Sequence, residues 1–248
     1  MSRIPLKDVT FLLIVKFDTV ERIENTVHIA NYLYNHFNTN IILWEFGRWN
    51  NGIMQRMLPD GVLYQFHEDV DPVFHRTHFL NNMIESVKTE FVAVWDVDVI
   101  IRKEQIIDSV CRLKNGVDVV YPYEKFYDTT DDIRNLYLSS GGDVSVLLKC
   151  TKYMNELYGS FPVGGAFFIR TKLYFESGME NENYYGWGYE DGDRYYKWVN
   201  LGYKIGRIYG PLFHLSHPRG LNSSTPSVES DIQKKRLLLS TIKEKFYE

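Results

Sequence analysis

Two aspartates stand in an apolar segment of the sequence, FVAVWDVDVI (Phe91–Ile100). The buried-strand pattern of Phe91–Trp95 ends directly before Asp96 and Asp98. Carboxylates two residues apart at a strand end can converge on one hard cation, because Mg²⁺ and Mn²⁺ both prefer oxygen ligands. A cation held there can neutralise the charge of a departing diphosphate. A turn capped by Asp96, with a solvated Asp98, is the structural alternative, so this pair alone does not decide the function.

A second acidic cluster, YYGWGYEDGD, covers Tyr184–Asp193. Two glycines flank Trp187 and let the backbone turn tightly around a large flat ring. Acids favour the first turn of a helix, so capping explains part of the run Glu190, Asp191 and Asp193. Three acids beside a tryptophan flanked by two glycines are more than helix capping requires. An aromatic ring can stack on the apolar face of a sugar, and a carboxylate can take the proton of an attacking hydroxyl.

A third cluster, PLFHLSHPRG, carries His214 and His217 three residues apart. The pair follows a predicted strand and could offer an imidazole to a metal held by Asp98, because Mn²⁺ accepts nitrogen ligands as well as oxygen. Packing without any ligand role is the alternative for either histidine.

The elements that position these clusters alternate in the first half of the chain. The predicted segments are, in order, strand Val9–Val15, helix Glu21–Phe37, strands Ile41–Trp44 and Val62–Phe66, helix Phe74–Val87, strand Phe91–Trp95, helix Lys103–Leu113 and strand Val117–Tyr121. Such alternation predicts an α/β fold with a mostly parallel sheet and helices on both faces. Ligands of such sheets bind beyond the carboxyl ends of the strands, which is where Asp96 and Asp98 lie.

The second half has a different pattern. Residues 122–160 show no firm periodicity, which predicts a long active-site or acceptor loop. A strand at Ala166–Ile169, a helix at Glu190–Leu201, a strand at Tyr203–Ile208 and a C-terminal helix at 228–248 follow. No repeat or linker divides the chain, so we expect one domain over residues 1–248.

Composition excludes several classes of protein. The net charge of −4 argues against nucleic-acid binding, because a broad phosphate-neutralising surface is lacking. No apolar run reaches the length that spans a bilayer, and the start MSRIPLKDV has no signal-peptide core. Cys111 and Cys150 lie outside any CxxC spacing, so neither a disulfide framework nor a zinc site is indicated, and we expect a cytoplasmic protein.

Two features each allow a structural and a functional interpretation. Aromatic residues make up 15% of the chain, with 18 Tyr and 5 Trp, which fits either a tyrosine-rich core or a site that stacks on sugars or bases. The run Lys234–Arg236 in the C-terminal helix fits either a solvated helix face or a peripheral contact with an anionic membrane surface.

In this order, the motifs resemble those of glycosyltransferases of the GT-A fold. The sequence is most similar to the β-1,4-galactosyltransferase-like group and its bacterial relatives in family 2 of the inverting enzymes, over Val9 to Arg219. The segments that carry the resemblance are VKFDTVERIEN, FHRTHFLN, VWDVDVI, FPVGGAFFIRTKLY and GWGYEDGD. The last of these is specific, whereas a D-x-D alone is not.

The resemblance implies a fold and a reaction. The fold is a Rossmann-like three-layer sandwich with a mostly parallel central sheet, in which about 1–121 bind the nucleotide sugar and about 122–220 form the acceptor and catalytic half. The reaction is a Mn²⁺- or Mg²⁺-dependent inverting transfer of a sugar, galactose or an N-acetylhexosamine, from a UDP-sugar to a hydroxyl of a glycan or lipid-linked glycan. A bacterial role in surface polysaccharide or lipopolysaccharide synthesis follows, in the cytoplasm or at the inner face of the membrane.

The resemblance also assigns roles position by position. It implies Asp191 as the catalytic base. It implies donor contacts at Phe74, Arg76, Asp96, Val97 and Gly165. It implies acceptor contacts at Trp187, Glu190 and Asp193. It implies metal ligands at Asp98 and His217, with His214 at the place of a methionine ligand.

The sequence departs from the family's pattern at Gly192, which stands where the vertebrate enzymes have an acid and so removes a hydrogen bond to the acceptor. Two alternative functions are kept. The chain could be a catalytically silent relative that binds glycan or nucleotide. VWDVDVI also resembles the nucleophile motif of haloacid-dehalogenase-type phosphatases, although that motif usually stands near the N-terminus and is followed by a glycine.

Overall fold

A computed structural model describes residues 2–159, 161–224 and 227–243. Its strands are β1 (Ile4–Lys16), β2 (Phe37–Gly47), β3 (Val62–Glu68), β4 (Phe91–Trp95), β5 (Val99–Ile101), β6 (Val119–Tyr121), β7 (Lys125–Asp128), β8 (Asn155–Leu157), β9 (Ala166–Arg170), β10 (Ile205–Arg207) and β11 (Pro211–His214). Its α-helices are α1 (Val20–His36), α2 (Ile53–Met57), α3 (Arg76–Ile84), α4 (Lys103–Lys114), α5 (Asp131–Ser139), α6 (Val144–Cys150), α7 (Thr171–Glu176), α8 (Glu190–Asn200) and α9 (Val228–Lys243). Two 3₁₀ turns lie at Thr151–Tyr153 and Leu221–Ser223.

A seven-stranded sheet forms the centre, with strand order β10-β6-β9-β4-β1-β2-β3. Every pairing is parallel except those of β9, which runs antiparallel to both β4 and β6. All five residues of β4 are buried, as expected for a strand with covered faces in the middle of such a sheet. The predicted α/β class with a mostly parallel central sheet is therefore confirmed.

The predicted elements of the first half are present, and several are longer than predicted. Strand β1 has 13 residues and β2 has 11, because both begin several residues before their apolar centres, in segments that are partly exposed. Strand β4 has the predicted boundaries. Helix α1 begins after Thr19, whose hydroxyl accepts a hydrogen bond from the Arg22 amide at 3.2 Å and so caps the helix.

The prediction of a long loop over residues 122–160 is wrong. This stretch holds β7, α5, α6 and β8. Helix α5 has nine residues, capped by Thr130 with two acids in its first turn, and β7 pairs with β8. These elements are too short to give a visible periodicity, and their stability comes from tertiary contacts.

A second sheet of four strands, in the order β5-β11-β7-β8, was not predicted. Strand β5 begins directly after Asp98 and pairs antiparallel with β11, which sets Val99 opposite His214. The amide of Leu215 donates to the carbonyl of Asp98 at 2.7 Å. This register brings the histidine cluster beside the D-x-D motif.

The C-terminal helix α9 packs against α8 and covers the region around Gly192. The interpretation of Lys234–Arg236 as a solvated face does not hold at its first residue, because Lys234 is buried while Lys235 and Arg236 are exposed. The last five residues of the predicted helix, 244–248, lie outside the described residues. Within the described ranges, no helix combines the length and the apolar character needed to cross a membrane.

Candidate active site

One cavity of about 600 Å³ receives both acidic motifs. Asp96 and Asp98 line it from the carboxyl end of β4, and Glu190 and Asp191 line it from the start of α8. The cavity also reaches Val15 at the end of β1. The site therefore lies where a mostly parallel sheet is expected to bind its ligand, and its volume suits a small organic molecule.

Asp98, His214 and His217 lie together in the cavity as a candidate metal-binding site, called the metal-like cluster below. The Nε2 atoms of His217 and His214 lie 3.2 and 3.7 Å from Asp98 Oδ2, and the possible ligand atoms of all three lie within 4.8 Å of one another. One carboxylate and two imidazoles suit Mn²⁺ better than Mg²⁺, which prefers oxygen ligands only. Both histidines belong to this cluster.

The charge balance of this cluster favours an ionised Asp98. Burial opposes ionisation, but the nearby His214 holds the pKa of Asp98 well below its ordinary value. Burial likewise opposes the charge on His214, yet the carboxylates of Asp98 and Asp128 raise the pKa of this imidazole to about 9. Asp128 Oδ1 lies 2.7 Å from His214 Nδ1, which leaves Nε2 facing Asp98. A carboxylate behind an imidazole ligand is a common device for orienting it.

Arg22 on α1 is a cavity residue that sequence reasoning did not single out. Its guanidinium donates to His217 Nε2 at 3.0 Å and to Ser223 Oγ at 2.8 Å. Arg22 lies inside the quoted segment VKFDTVERIEN, but an arginine in the first turns of an amphipathic helix carries no signal that it faces a site.

The predicted donor contacts meet on one side of the cavity. Arg76 Nη2 and Asp96 Oδ1 form an ion pair at 2.6 Å. The Asp96 amide donates to the carbonyl of Gly165 at 2.8 Å, which ties the D-x-D motif to the glycine pair. Phe74 and Val97 also line this side, both largely buried.

The backbone conformation and the close packing at position 165 both require a glycine. Its φ of +83° lies in the left-handed region, and a Cβ there would stand 3.0 Å from a methyl group of Leu212. The neighbouring Gly164 is constrained by Asp191, because its Cβ would lie 2.7 Å from Asp191 Oδ2. The glycine pair thus lets the backbone pass between the two acidic motifs.

Asp191 is held by a buried arginine. Arg194 is 2% exposed and contacts Asp191 Oδ1 with one nitrogen while another donates to Glu180 Oε2 at 3.0 Å. The ring of Phe167 lies under the same guanidinium, 4.3 Å from its carbon. Arg194 therefore fixes the carboxylate of Asp191 from behind, and Oδ2 lies beside Gly164.

Glu190 is the other acid at this end of the cavity. It is 7% exposed, and its Oε2 has no hydrogen-bond partner among the described residues. Burial first, and the charge of Asp191 second, raise the pKa of Glu190 to about 7. An unpartnered buried carboxyl oxygen at a cavity wall is a group that a ligand hydroxyl can satisfy.

The structure gives Asp193 a place that the resemblance did not predict. Asp193 is 3% exposed, and its carboxylate accepts hydrogen bonds from Tyr184, Asn181 and Thr241 rather than lining the cavity. Its side chain leaves α8 on the face away from Asp191, because residues two apart do not share a helix face. Trp187, in contrast, lines the cavity and is 42% exposed.

Two exposed aromatic residues at the cavity wall were also missed. Tyr158 and Phe161 are 62% and 70% exposed, and both have positive φ angles, 63° and 64°. Positive φ is uncommon outside glycine and is found at functional sites. No periodic pattern in the sequence marks these two residues. Asp231 and Leu238 of α9 also line the cavity and were not predicted.

Comparison with known proteins found no matching family model and no match among curated proteins. Solved structures do match. Glucosyl-3-phosphoglycerate synthase from Mycobacterium tuberculosis, in complex with Mn²⁺, UDP and glucosyl-3-phosphoglycerate, aligns with a TM-score of 0.55 at 13% identity, covering 96% of this chain and 80% of that one. The catalytic domain of Drosophila β1,4-galactosyltransferase 7, with xylobiose, aligns with a TM-score of 0.54 at 15% identity, covering 92% and 79%.

This chain has the GT-A glycosyltransferase fold. A mutant of the same Drosophila enzyme, in complex with manganese, UDP-Gal and xylobiose, aligns with a TM-score of 0.53 at 15% identity over 90% of this chain and 78% of that one. At such identities the likeness establishes the fold alone, since one fold supports many activities. The activity has to be argued from the site.

Proposed function

We propose that this protein is a metal-dependent inverting glycosyltransferase that moves a sugar from a UDP-sugar to a hydroxyl of a glycan. The observation that carries the proposal is the division of one cavity. Asp98, His214 and His217 offer a metal-like donor set on one side, and the Asp191 carboxylate stands on the other. Leaving-group stabilisation and proton removal are the two tasks of such a transfer.

On the donor side, Asp98, His214 and His217 would hold Mn²⁺. When bound, the ion would neutralise the diphosphate as it leaves. Arg76 is kept in place by Asp96, and Arg22 adds a second guanidinium beside His217. Both are suited to bind phosphate oxygens. UDP is proposed as the nucleotide because the mycobacterial synthase was solved with UDP and Mn²⁺, and the Drosophila enzyme with UDP-Gal and manganese.

On the acceptor side, Asp191 takes the proton of the acceptor hydroxyl while that oxygen attacks the anomeric carbon. Arg194 holds the carboxylate in place, which reduces the orientational freedom lost in the reaction. The attack from the face opposite the diphosphate makes the transfer inverting. Trp187 supplies a ring for stacking, and Glu190 a carboxyl group for a second sugar hydroxyl.

The charges on this side support a neutral acceptor. Asp191, Glu190 and Asp231 all line this end of the cavity. The cation nearest to Asp191, Arg194, is buried behind that carboxylate and already paired with Glu180. These three acids would repel a phosphorylated or carboxylated acceptor, against the opposite charges of Arg76 and Lys234 near Glu190. A glycan hydroxyl does not carry this cost. Surface-polysaccharide or lipopolysaccharide synthesis at the cytoplasmic face of a membrane remains the biological role we propose from the sequence.

The alternatives make different demands of the site. A phosphatase of the haloacid-dehalogenase type needs a free aspartate nucleophile, whereas Asp96 is paired with Arg76 and the fold is that of glycosyltransferases. A silent binding relative needs no positioned base, whereas Asp191 is fixed by a buried arginine.

The test is UDP release. The full chain is incubated with UDP-galactose, UDP-glucose and their N-acetylated forms, with Mn²⁺ and with p-nitrophenyl β-glycosides of neutral hexoses and pentoses as acceptors. We expect Mn²⁺-dependent UDP release that an acceptor accelerates, and its loss in Asp98→Asn. Tight UDP binding without release from any donor would support the silent relative instead.

A further inference from the structure

Helix α9 reaches the active site through a buried lysine. Lys234 is 3% exposed, and its Nζ donates a hydrogen bond to the carbonyl of Trp187 at 2.8 Å. The next two residues, Lys235 and Arg236, are exposed. Burial lowers the pKa of Lys234, while the carboxylates of Glu190 and Asp231 oppose that effect. Burying an ammonium group costs free energy, and the hydrogen bond to the Trp187 carbonyl offsets part of that cost.

The same face of α9 forms part of the cavity wall. Asp231, Lys234 and Leu238 are three and four residues apart, which places them on one side of the helix. Asp231 and Leu238 line the cavity. A Cβ at Gly192 would lie 3.4 Å from a methyl of Leu238, so α9 packs closely over the residue that follows Asp191.

The position of α9 is fixed further along the chain. The Thr241 hydroxyl donates to Asp193 Oδ1, and Asn200 Nδ2 donates to the Thr241 carbonyl at 2.8 Å. Asp193 and Asn200 both belong to α8. Helix α8 therefore carries Asp191 on its cavity side and anchors α9 through Asp193, which explains why Asp193 is buried.

We propose that α9 is the acceptor-specificity element of this enzyme, with Lys234 as the positioning residue for Trp187 and Leu238 as a wall that contacts the acceptor sugar. This inference rests on the glycosyltransferase activity proposed above. Lys234 fixes the backbone that presents the Trp187 ring. Leu238 limits the space beyond Asp191, where Gly192 leaves no side chain of its own.

The proposal separates acceptor binding from donor binding. The metal-like cluster and the Arg76–Asp96 pair contact none of the three α9 residues through the ion pairs or hydrogen bonds that the described residues form. A defect in α9 should therefore raise the acceptor KM and leave UDP affinity intact. A general loss of stability would instead affect both.

The experiment compares Lys234→Met and Leu238→Ala with the matched exposed controls Lys235→Met and Leu239→Ala, all in the full chain. The acceptor is the p-nitrophenyl glycoside that the wild type uses best. Loss of a hydrogen bond from a charged group predicts an acceptor KM about tenfold higher for Lys234→Met. Loss of apolar contact predicts an increase of roughly tenfold for Leu238→Ala. We expect kcat to change less than KM, UDP–Mn²⁺ thermal shifts like those of wild type, and controls within twofold.

Each outcome is decisive. Acceptor KM values of Lys234→Met and Leu238→Ala no higher than those of the controls would overturn the proposal. If Lys234→Met does not fold, Leu238→Ala alone decides, by the same KM criterion. A wild type that releases no UDP from any donor contradicts the proposed function itself, so the two failures are distinguishable.

Discussion

The two acidic sites of the cavity differ in the charges that surround them. Asp96 and Asp98 face cationic or protonatable groups, namely Arg76 and the two imidazoles. Glu190 and Asp191 are adjacent at the start of α8, where Arg76 also acts on Glu190, and the arginine that pairs with Asp191 lies behind it in the interior. The first arrangement suits a metal and an anionic leaving group. The second suits proton removal from a neutral hydroxyl.

This contrast shows how carboxyl groups acquire different charge states in one cavity. Asp98 is held ionised, because His214 outweighs the effect of burial on its pKa. Glu190 is pushed toward its neutral form, because burial and Asp191 act in the same direction and raise its pKa. The surroundings, and not the carboxyl groups themselves, set the difference.

The largest effect should follow from removing the base. Asp191→Asn keeps the size of the side chain but cannot accept the acceptor's proton. General base catalysis typically contributes about 10²–10⁴-fold, so we expect a loss of turnover in that range. UDP binding with Mn²⁺ should persist, as measured by thermal shift. Full transfer by the variant would remove the role assigned to Asp191.

The next effect concerns stability and pH. The pKa of Glu190 is raised from 4.5 to about 7. Ionisation of this group therefore lowers the free energy of unfolding progressively as the pH rises from 4.5 to about 7, and by the full amount at higher pH. Glu190→Gln removes that cost, which is at most about 3 kcal/mol. We expect the Tm of this variant, relative to wild type, to be higher at pH 8 than at pH 5. The exposed Glu176→Gln serves as control, and an equal difference at both pH values would contradict the assignment.

A smaller effect, on metal affinity, should follow from substituting Asp128, which lies behind the metal-like cluster. Asp128 orients His214 through a 2.7 Å contact with Nδ1. Loss of such an outer partner typically costs 10–100-fold in metal affinity. We expect Asp128→Asn to weaken Mn²⁺ binding by that factor in a calorimetric titration, with little change in Asp132→Asn, an exposed neighbour. Unchanged Mn²⁺ affinity would mean that His214 packs beside the site without binding the ion.

The smallest effect concerns Gly192. A methyl group there reaches ordinary contact distance from Leu238, and alanine is the better helix former by up to about 1 kcal/mol. We expect Gly192→Ala to raise the free energy of unfolding by no more than this amount, measured by urea denaturation. A clear destabilisation would show that α9 leaves no room at all over α8.

Much of this molecule was predictable from local patterns. The alternation of the first half predicted the parallel sheet, because apolar runs and helical spacing report directly on buried strands and amphipathic helices. Strand β4 and the aspartates that follow it were located by this means alone. GWGYEDGD and HLSH were identified as chemical clusters by residue type, and the structure brings both to the cavity that Asp98 lines.

Other features were decided only by the tertiary structure. The second sheet sets His214 opposite Val99, a pairing between segments more than a hundred residues apart that no local period encodes. Two acids of the same helix α8 have different surroundings. Asp191 faces the cavity, and Asp193 faces Thr241 of α9. Sequence specifies which groups a chain carries and where its main strands lie. The direction each group faces depends on helix phase and on packing by distant segments, and so only the folded chain determines it.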